Sequence, residues 1–416
     1  MGSGKTIAAI NYMNQEKDKK FIYITPYLSE VERIQKGCAD RNFVAPSNKE
    51  DGCDGKKINH IAKLISEGNN IVTTHSSFEN FSDEMLDNIK QKEYYLIIDE
   101  AINAFDVCYY DNFDLNMAIK CKCFNINEDG RLCKGDEKYE GSSLKELYSK
   151  IDLKQYEWYC EQSDDGKYHI IECYWALPPQ FINSFKDVIL LTYLFEGQPI
   201  WGLFKLKKME YKYIGINKDI DGEIKFTDNK KEYYIPEYIY SLKDKIKIYE
   251  PYVKNNKMVG RADYSLSESW FKKRSKGNKG IVELRKALNT YLKQGYLDGD
   301  VHLLWSTFKS AFDKITINGY KKNYTVFNLR ATNEYIYKNY LAYVVNLYIN
   351  VGIKNMLYRN GIELNDDKYA LSTMLQWIWR SAIRVGEPIT IYIPSKRMRD
   401  LLINWMDSFN KNRTLE

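Results

Sequence analysis

Near the head of the sequence, Gly2-Ser3-Gly4-Lys5-Thr6 brings together the residue types that grip a phosphate chain. Glycines let backbone N–H groups curl round an anion, the lysine neutralises β- and γ-phosphate charge, the threonine hydroxyl suits Mg²⁺, and a following helix aims its positive end at the site. Further along, Asp99 and Glu100 close the apolar run 94–98. That pattern predicts two carboxylates at the carboxyl end of a buried strand, where doubly wound sheets hold their ligands. Asp99 suits a Mg²⁺ shell, and Glu100 suits orienting and deprotonating an attacking water. Alone, the first motif reads as a glycine-rich terminus and the second as a solvated acidic turn; together they predict one ATP·Mg²⁺ site. A third set, Gln376, Arg380 and Arg384, is spaced i, i+4, i+8, which predicts a single helix face. Trp377, Ile378 and Trp379 make the neighbouring faces apolar. The arginines then need an anionic partner, which a γ-phosphate across a domain cleft supplies.

The frame that must position these residues shows as short apolar runs alternating with helical patterns, the signature of a parallel sheet. Residues 19–27, 69–77 and 92–101 predict strands, and LSEVERIQKG and KKINHIAKLISEG predict helices closing on glycine. Residues 102–188 break the rhythm and read as an inserted subdomain, with a cysteine- and acid-containing loop over 108–141, a helix over 142–151 and a hairpin over 156–175. A strand over 187–197 returns to the first sheet. Residues 1–200 thus form one α/β domain, 201–244 an irregular linker and 245–416 a second α/β domain, with short strands expected within the lysine- and tyrosine-rich stretch 200–255. The second domain is expected to hold a helix over 280–295, a strand over 301–308, helical stretches near 335–350 and 370–384, a strand over 388–394 and a closing helix from 395. The first glycine of G-x-x-x-x-G-K-[ST] would fall two positions before Met1. The first strand of the first sheet is therefore expected to be missing, with Met1 an internal methionine or the protein a truncated copy.

At 416 residues and 44% apolar side chains the chain can bury a sizeable core, which excludes disordered and collagen-like classes. Lysine plus arginine (61) against aspartate plus glutamate (56) leaves +5, so adhesion to nucleic acid would need a local patch. No apolar run approaches the roughly 18 to 20 residues that span a bilayer, so a soluble, intracellular protein without membrane contact is expected. The 35 tyrosines accompany many lysines, isoleucines and asparagines, all with AT-rich codons, and carry no weight for base stacking. Eight cysteines at irregular spacing read as reduced thiols, and Cys121-x-Cys123 with Cys133 and Cys108 fits zinc poorly. The basic run 269–280 beside Trp270 and Phe271 reads as a solvated loop or as a track for a phosphate backbone.

The phosphate loop, the D-E pair and the distal Q-x-x-x-R-x-x-x-R segment resemble superfamily 2 helicases, in particular the DEAD/DEAH-like ATPases encoded by bacteriophages. The resemblance spans essentially the whole chain. It implies two RecA-like domains with ATP and Mg²⁺ between them, and hydrolysis coupled to movement along, or remodelling of, a DNA or RNA single strand held by its backbone. Lys5, Asp99, Glu100, Gln376, Arg380 and Arg384 would be catalytic, Gly2 to Thr6 would hold ATP, and Thr6 and Asp99 would hold the metal. LLTYLFEG resembles the S-A-T element and implies a coupling role for Thr192. ITPYLSEV and IVTTHSSF resemble strand-contacting motifs, implying Thr25, Pro26, Thr74 and His75 near nucleic acid; LRATNEY implies Arg330, Thr332 and Asn333 there too. The cytoplasm of a bacterial host and phage replication or recombination proteins as partners follow from the same resemblance. The family's second arginine usually follows the first by three positions, whereas here that position is Ile383, so the finger and sensor roles of Arg380 and Arg384 can be exchanged. Two alternatives stand beside this reading. One is a degenerate helicase-like binding module without hydrolysis. The other is a packaging-motor ATPase, for which Asp298 and Asp300 are too isolated to form a nuclease cluster.

Overall fold

The computed structural model of the protein describes residues 4–413 apart from 27, 51–52, 109–111, 129, 152–156, 163–169, 230–235, 252–258, 296–299 and 330–333. It opens with α1 (Lys5–Gln15), β1 (Lys20–Thr25), α2 (Leu28–Gly37), α3 (Lys57–Glu67), β2 (Ile71–Thr74), α4 (His75–Phe78), α5 (Asp83–Gln91) and β3 (Tyr94–Asp99). The strands are buried on both faces. In β1, Ile22 and Ile24 enter one core while Phe21 and Tyr23 enter another, and β3 divides Leu96 and Ile98 from Ile97 in the same way. Near-continuous apolar runs of this kind belong to parallel sheets covered on both sides.

Between β3 and the next strand of its sheet lie β4 (Phe105–Cys108), α6 (Asn112–Lys120), β5 (Phe124–Ile126), β6 (Leu132–Lys134), α7 (Lys145–Lys150), β7 (Glu157–Gln162), β8 (Ile170–Ala176) and α8 (Gln180–Asn183). Strands β4, β8 and β7 form an antiparallel sheet, and β5 and β6 a hairpin. The loop expected over 108–141 is therefore largely ordered. Phe124 and Leu132 are fully buried, and three-residue strands are too short to show a period in sequence. Strand β9 (Asp187–Leu191) then pairs parallel to β3, giving the order β2-β1-β3-β9.

The region 201–244 carries the hairpin β10 (Gly215–Lys218) and β11 (Ile224–Thr227), in keeping with the short strands expected there, and also most of α9 (Pro199–Leu206) and α10 (Leu242–Lys245), which were not expected. Helix α9 starts on proline, which is pre-set for a first turn, and buries Ile200, Leu203 and Phe204 on one face. The hairpin lies on α1: Asn11 Nδ2 donates to the Ile224 carbonyl at 3.0 Å, and Phe226 meets Tyr12 edge-on at 5.9 Å.

The second half holds β12 (Ile246–Ile248), α11 (Glu268–Lys272), α12 (Lys279–Gln294), β13 (Leu303–Thr307), α13 (Lys309–Ile315), β14 (Tyr324–Val326), β15 (Tyr340–Val344), α14 (Val351–Arg359), α15 (Asp366–Ile378), β16 (Ile389–Tyr392) and α16 (Lys396–Arg413). Its sheet runs β12-β16-β15-β13-β14, parallel throughout. The segment near 335–350, expected to be helical, holds the central strand β15: Leu341 to Val345 are fully buried, and burial on both faces leaves no period to read. Both parallel-sheet α/β units expected from the sequence are present.

The halves share a core. Ile353, Met356 and Leu357 of α14, with Ile349, Ile362 and Leu364 beside it, pack among first-half residues that include Ile200, Leu203 and Phe204 of α9. Gly202 permits the approach, since a Cβ there would stand 2.6 Å from Leu357 Cδ1. Among the described residues, no helix is long and apolar enough to cross a membrane.

Candidate active site

Helix α1 begins at Lys5, directly after Gly4, whose φ of 77° is left-handed. Any side chain at Gly4 would strain that backbone and bring a Cβ to 2.8 Å from Ile224 Cδ1 of β11. Gly2 and Ser3 lie outside the described residues. Burial pushes the Lys5 ammonium below its ordinary pKa, while the charges of Asp99 and Glu100 pull it back up. Thr6 Oγ1 lies 3.4 Å from Asp99 Oδ2, and the Tyr23 hydroxyl donates to the same oxygen at 3.0 Å. The Asp99 carboxyl is pushed up to about 6, chiefly by burial and then by Glu100, with the Tyr23 hydrogen bond and Lys5 opposing.

Consecutive residues of an extended strand face opposite ways, so Asp99 and Glu100 would diverge if β3 simply continued. It does not. Glu100 has a φ of 63°, and its N–H donates to the Leu191 carbonyl at 3.0 Å. This left-handed step, a strain of about 1 to 3 kcal/mol for a residue with a Cβ, breaks the alternation and lets both carboxylates act on Lys5. Arg380 Nη2, from the second half, donates to Glu100 Oε1 at 2.9 Å, with the two side chains 8% and 14% exposed. His75 Nε2 lies 2.9 Å from the Asp99 carbonyl. Lys5 Nζ sits 5.9 Å from the centre of the Tyr193 ring. Tyr193 in turn accepts from Trp405 Nε1 at its hydroxyl (2.7 Å) and from Ser372 Oγ at its carbonyl (3.0 Å).

Gln376, Arg380 and Arg384 do not share a helix face. Helix α15 ends at Ile378, Arg380 occupies the turn beyond it, and Arg384 lies in a 3-10 helix over Ala382–Val385. Ser381 Oγ takes the Ile378 carbonyl at 2.6 Å and the Ala382 N–H donates to Lys338 O at 2.9 Å, so tertiary bonds replace the helical ladder there. Arg384 is half-buried, and its charge is disfavoured by burial and by Arg380, with Glu30 acting the other way. Gln376 is buried and, among the described residues, makes no side-chain hydrogen bond to the acidic pair.

Of the residues expected near nucleic acid, Thr25 is fully buried, so Pro26 is the member of that pair nearer the surface. Thr74 Oγ1 lies 3.1 Å from both Ser76 Oγ and Ser77 Oγ. Arg330, Thr332 and Asn333 lie outside the described residues. Tyr23 and Tyr193 were missed by sequence reasoning. The signal for Tyr23 was its phase: it pairs in register with Ile97, so it faces the side on which Asp99 emerges.

The residues fit a nucleotide with Mg²⁺. Thr6 and Asp99 offer adjacent hard oxygen donors, and an ion that keeps waters and phosphate oxygens needs no larger protein cage. Arg380 Nε and Thr192 Oγ1 are buried and have no hydrogen-bond partner among the described residues, which suits an anion entering beside them. Cys38, Cys53, Cys121, Cys123, Cys133 and Cys160 are free thiols, and no cluster of three or more His, Cys, Asp or Glu side chains is arranged for a metal among the described residues.

Residues 240–406 match the family model described as the YonV C-terminal Rossmann-like domain. Over 416 residues the chain is 34% identical to the SPbeta prophage-derived uncharacterized protein YonV of Bacillus subtilis (strain 168), covering 98% of this chain and 97% of that protein. Among solved structures, XPD_APO aligns with a TM-score of 0.43 and 12% identity, covering 94% of this chain and 90% of its own.

Proposed function

We propose that this chain, which belongs to the family of the prophage protein YonV, is a nucleic-acid-stimulated ATP hydrolase of the helicase or translocase type. The observation that carries the reading is the Arg380–Glu100 contact, which brings a guanidinium from the second half onto a carboxylate that shares its charge environment with Lys5 and Asp99 of the first. Lys5 and the amino end of α1 bind the phosphate chain. Thr6 and Asp99 would hold Mg²⁺, which when bound neutralises phosphate charge. Glu100 orients a water and takes its proton as the oxygen attacks the γ-phosphorus and ADP leaves. Arg380 turns from Glu100 to the charge that develops on the transferred group, which leaves the Glu100 carboxylate open to the water. Thr192 and Tyr193, between that carboxylate and α15, are placed to pass the change to the second domain.

The test is Mg²⁺-dependent phosphate release from ATP, with and without single-stranded DNA or RNA. Wild type is expected to hydrolyse ATP faster with a strand present, and Glu100→Gln to bind ATP without turnover. Undiminished turnover in Glu100→Gln would remove the role given to Glu100. ATP binding without hydrolysis in wild type would favour a binding module.

A further inference from the structure

We propose that the lysine-rich aromatic surface made by α9 and the segment after it, within residues 195–213, is a docking site for an unpaired nucleic-acid strand. The inference rests on the strand-stimulated reading above and adds a contact surface outside the cleft.

Lys205–Tyr213 holds four lysines against one glutamate, with Tyr211 and Tyr213 among them. A surface cavity of about 650 Å³ opens here, lined by Phe204, Lys205, Lys208, Met209, Glu210 and Tyr211. Its aromatic wall is held in place before any ligand arrives. Trp201 Nε1 donates to the Tyr211 hydroxyl at 2.9 Å, and the Tyr211 ring centre lies 5.2 Å from Phe195 and 5.7 Å from Tyr213. Lys205 Nζ stands 5.5 Å from the ring centres of both Trp201 and Tyr211. Tyr213 is 46% exposed and Lys205 and Lys208 are exposed. Two neighbouring acids are engaged, Glu196 with Lys368 and the Tyr213 hydroxyl and Asp228 with Lys212, and Glu210 is the acid on the cavity wall itself. Lysines bordering pre-oriented rings are what a single strand requires, with phosphates on the ammonium groups and a base on a ring. A duplex hides its base faces and would gain only the charge contacts.

The position also gives the strand a route to the nucleotide site. Phe195, which packs on Tyr211, lies two residues beyond Tyr193, whose ring faces Lys5. Leu194 between them is held at a φ of 51°. A strand that shifts the Tyr211–Phe195 contact therefore acts on a short, constrained segment ending at the phosphate-loop lysine.

The test measures binding of labelled single-stranded oligothymidine and oligouridine to the full chain over a range of salt, for wild type, Tyr211→Ala, Tyr211→Phe and Lys205→Ala/Lys208→Ala. Tyr211→Ala is expected to weaken binding about tenfold and Tyr211→Phe to retain it, since stacking needs the ring. The double lysine change is expected to lower the slope of log affinity against log salt by about 1.4, because each lost phosphate contact on a single strand removes about 0.7. The exposed lysines can be replaced without disturbing the core, so this arm holds even if Tyr211→Ala does not fold. Wild-type affinity and slope in these variants would overturn the surface while leaving the strand-stimulated reading intact. Loss with the lysines but not with Tyr211→Ala would mark a charge-only contact and overturn the stacking. A wild-type chain that binds neither oligonucleotide would overturn both readings.

Discussion

Arg380 and Glu100 form an ion pair largely withdrawn from solvent, whereas Arg384, four residues on, is half-buried and destabilised as a cation by burial and by Arg380. The two arginines are therefore separable by stability as well as by catalysis. Removing one partner of a buried pair leaves the other charge desolvated, at a cost of about 3 to 5 kcal/mol. Arg380→Ala is expected to lose most hydrolysis and to lower the urea unfolding midpoint accordingly. Arg384→Ala is expected to lower hydrolysis while leaving stability unchanged or slightly raised, because it removes a like charge. Equal losses of stability in the two variants would contradict the resting contacts described. The meeting of Lys5, Asp99 and Glu100 was legible in the sequence because their types sit at a helix start and a strand end that a parallel sheet brings together. Tyr193 was not, since one ring among 35 tyrosines offers no contrast until Lys5 is seen facing it.

Amphipathic helices and short apolar runs bounded by polar turns announced themselves, the latter even where both faces are buried, as in β1 and β3; elements fixed by distant partners did not. The run 340–345 is apolar on both faces and was as compatible with a helix as with β15. The i, i+4, i+8 spacing of Gln376, Arg380 and Arg384 promised a helix that Ser381 and the Lys338 carbonyl interrupt. The hairpin β10–β11 is held by α1, more than 200 residues away, and its Ile224 covers Gly4. Gly4→Ala is expected to weaken ATP binding about tenfold, because a left-handed φ costs a residue with a Cβ roughly 1 to 2 kcal/mol. Ile224 would meet the added Cβ with Cδ1 at 2.8 Å and Cγ2 at 3.1 Å, and removing them relieves that crowding but leaves the left-handed φ, so Ile224→Ala in the same chain should recover only part of the loss. Full recovery in a double-mutant cycle of nucleotide affinities would show that crowding by the hairpin, and not the backbone, sets the requirement for glycine.

At the scale of the whole molecule, helix α14 ties the halves together. It belongs by sequence to the second domain, yet Ile353, Met356 and Leu357 complete the apolar core of the first. Domains that share a large apolar contact do not drift apart as domains on a flexible linker do. In the proposed mechanism, opening of the cleft would then pivot about the α9–α14 contact, with larger excursions on the side where Arg380 meets Glu100. The same contact makes the halves interdependent in stability. Leu357 is fully buried, and Leu357→Ala should cost about 2 to 5 kcal/mol through lost transfer energy and the cavity left behind. If the shared core couples the sheets, amide exchange in β1 and in β15 should both quicken in this variant, each by the free energy lost in global unfolding. Faster exchange in β1 with β15 unchanged would show that the second sheet stands without α14's contact, and that the halves move as independent bodies.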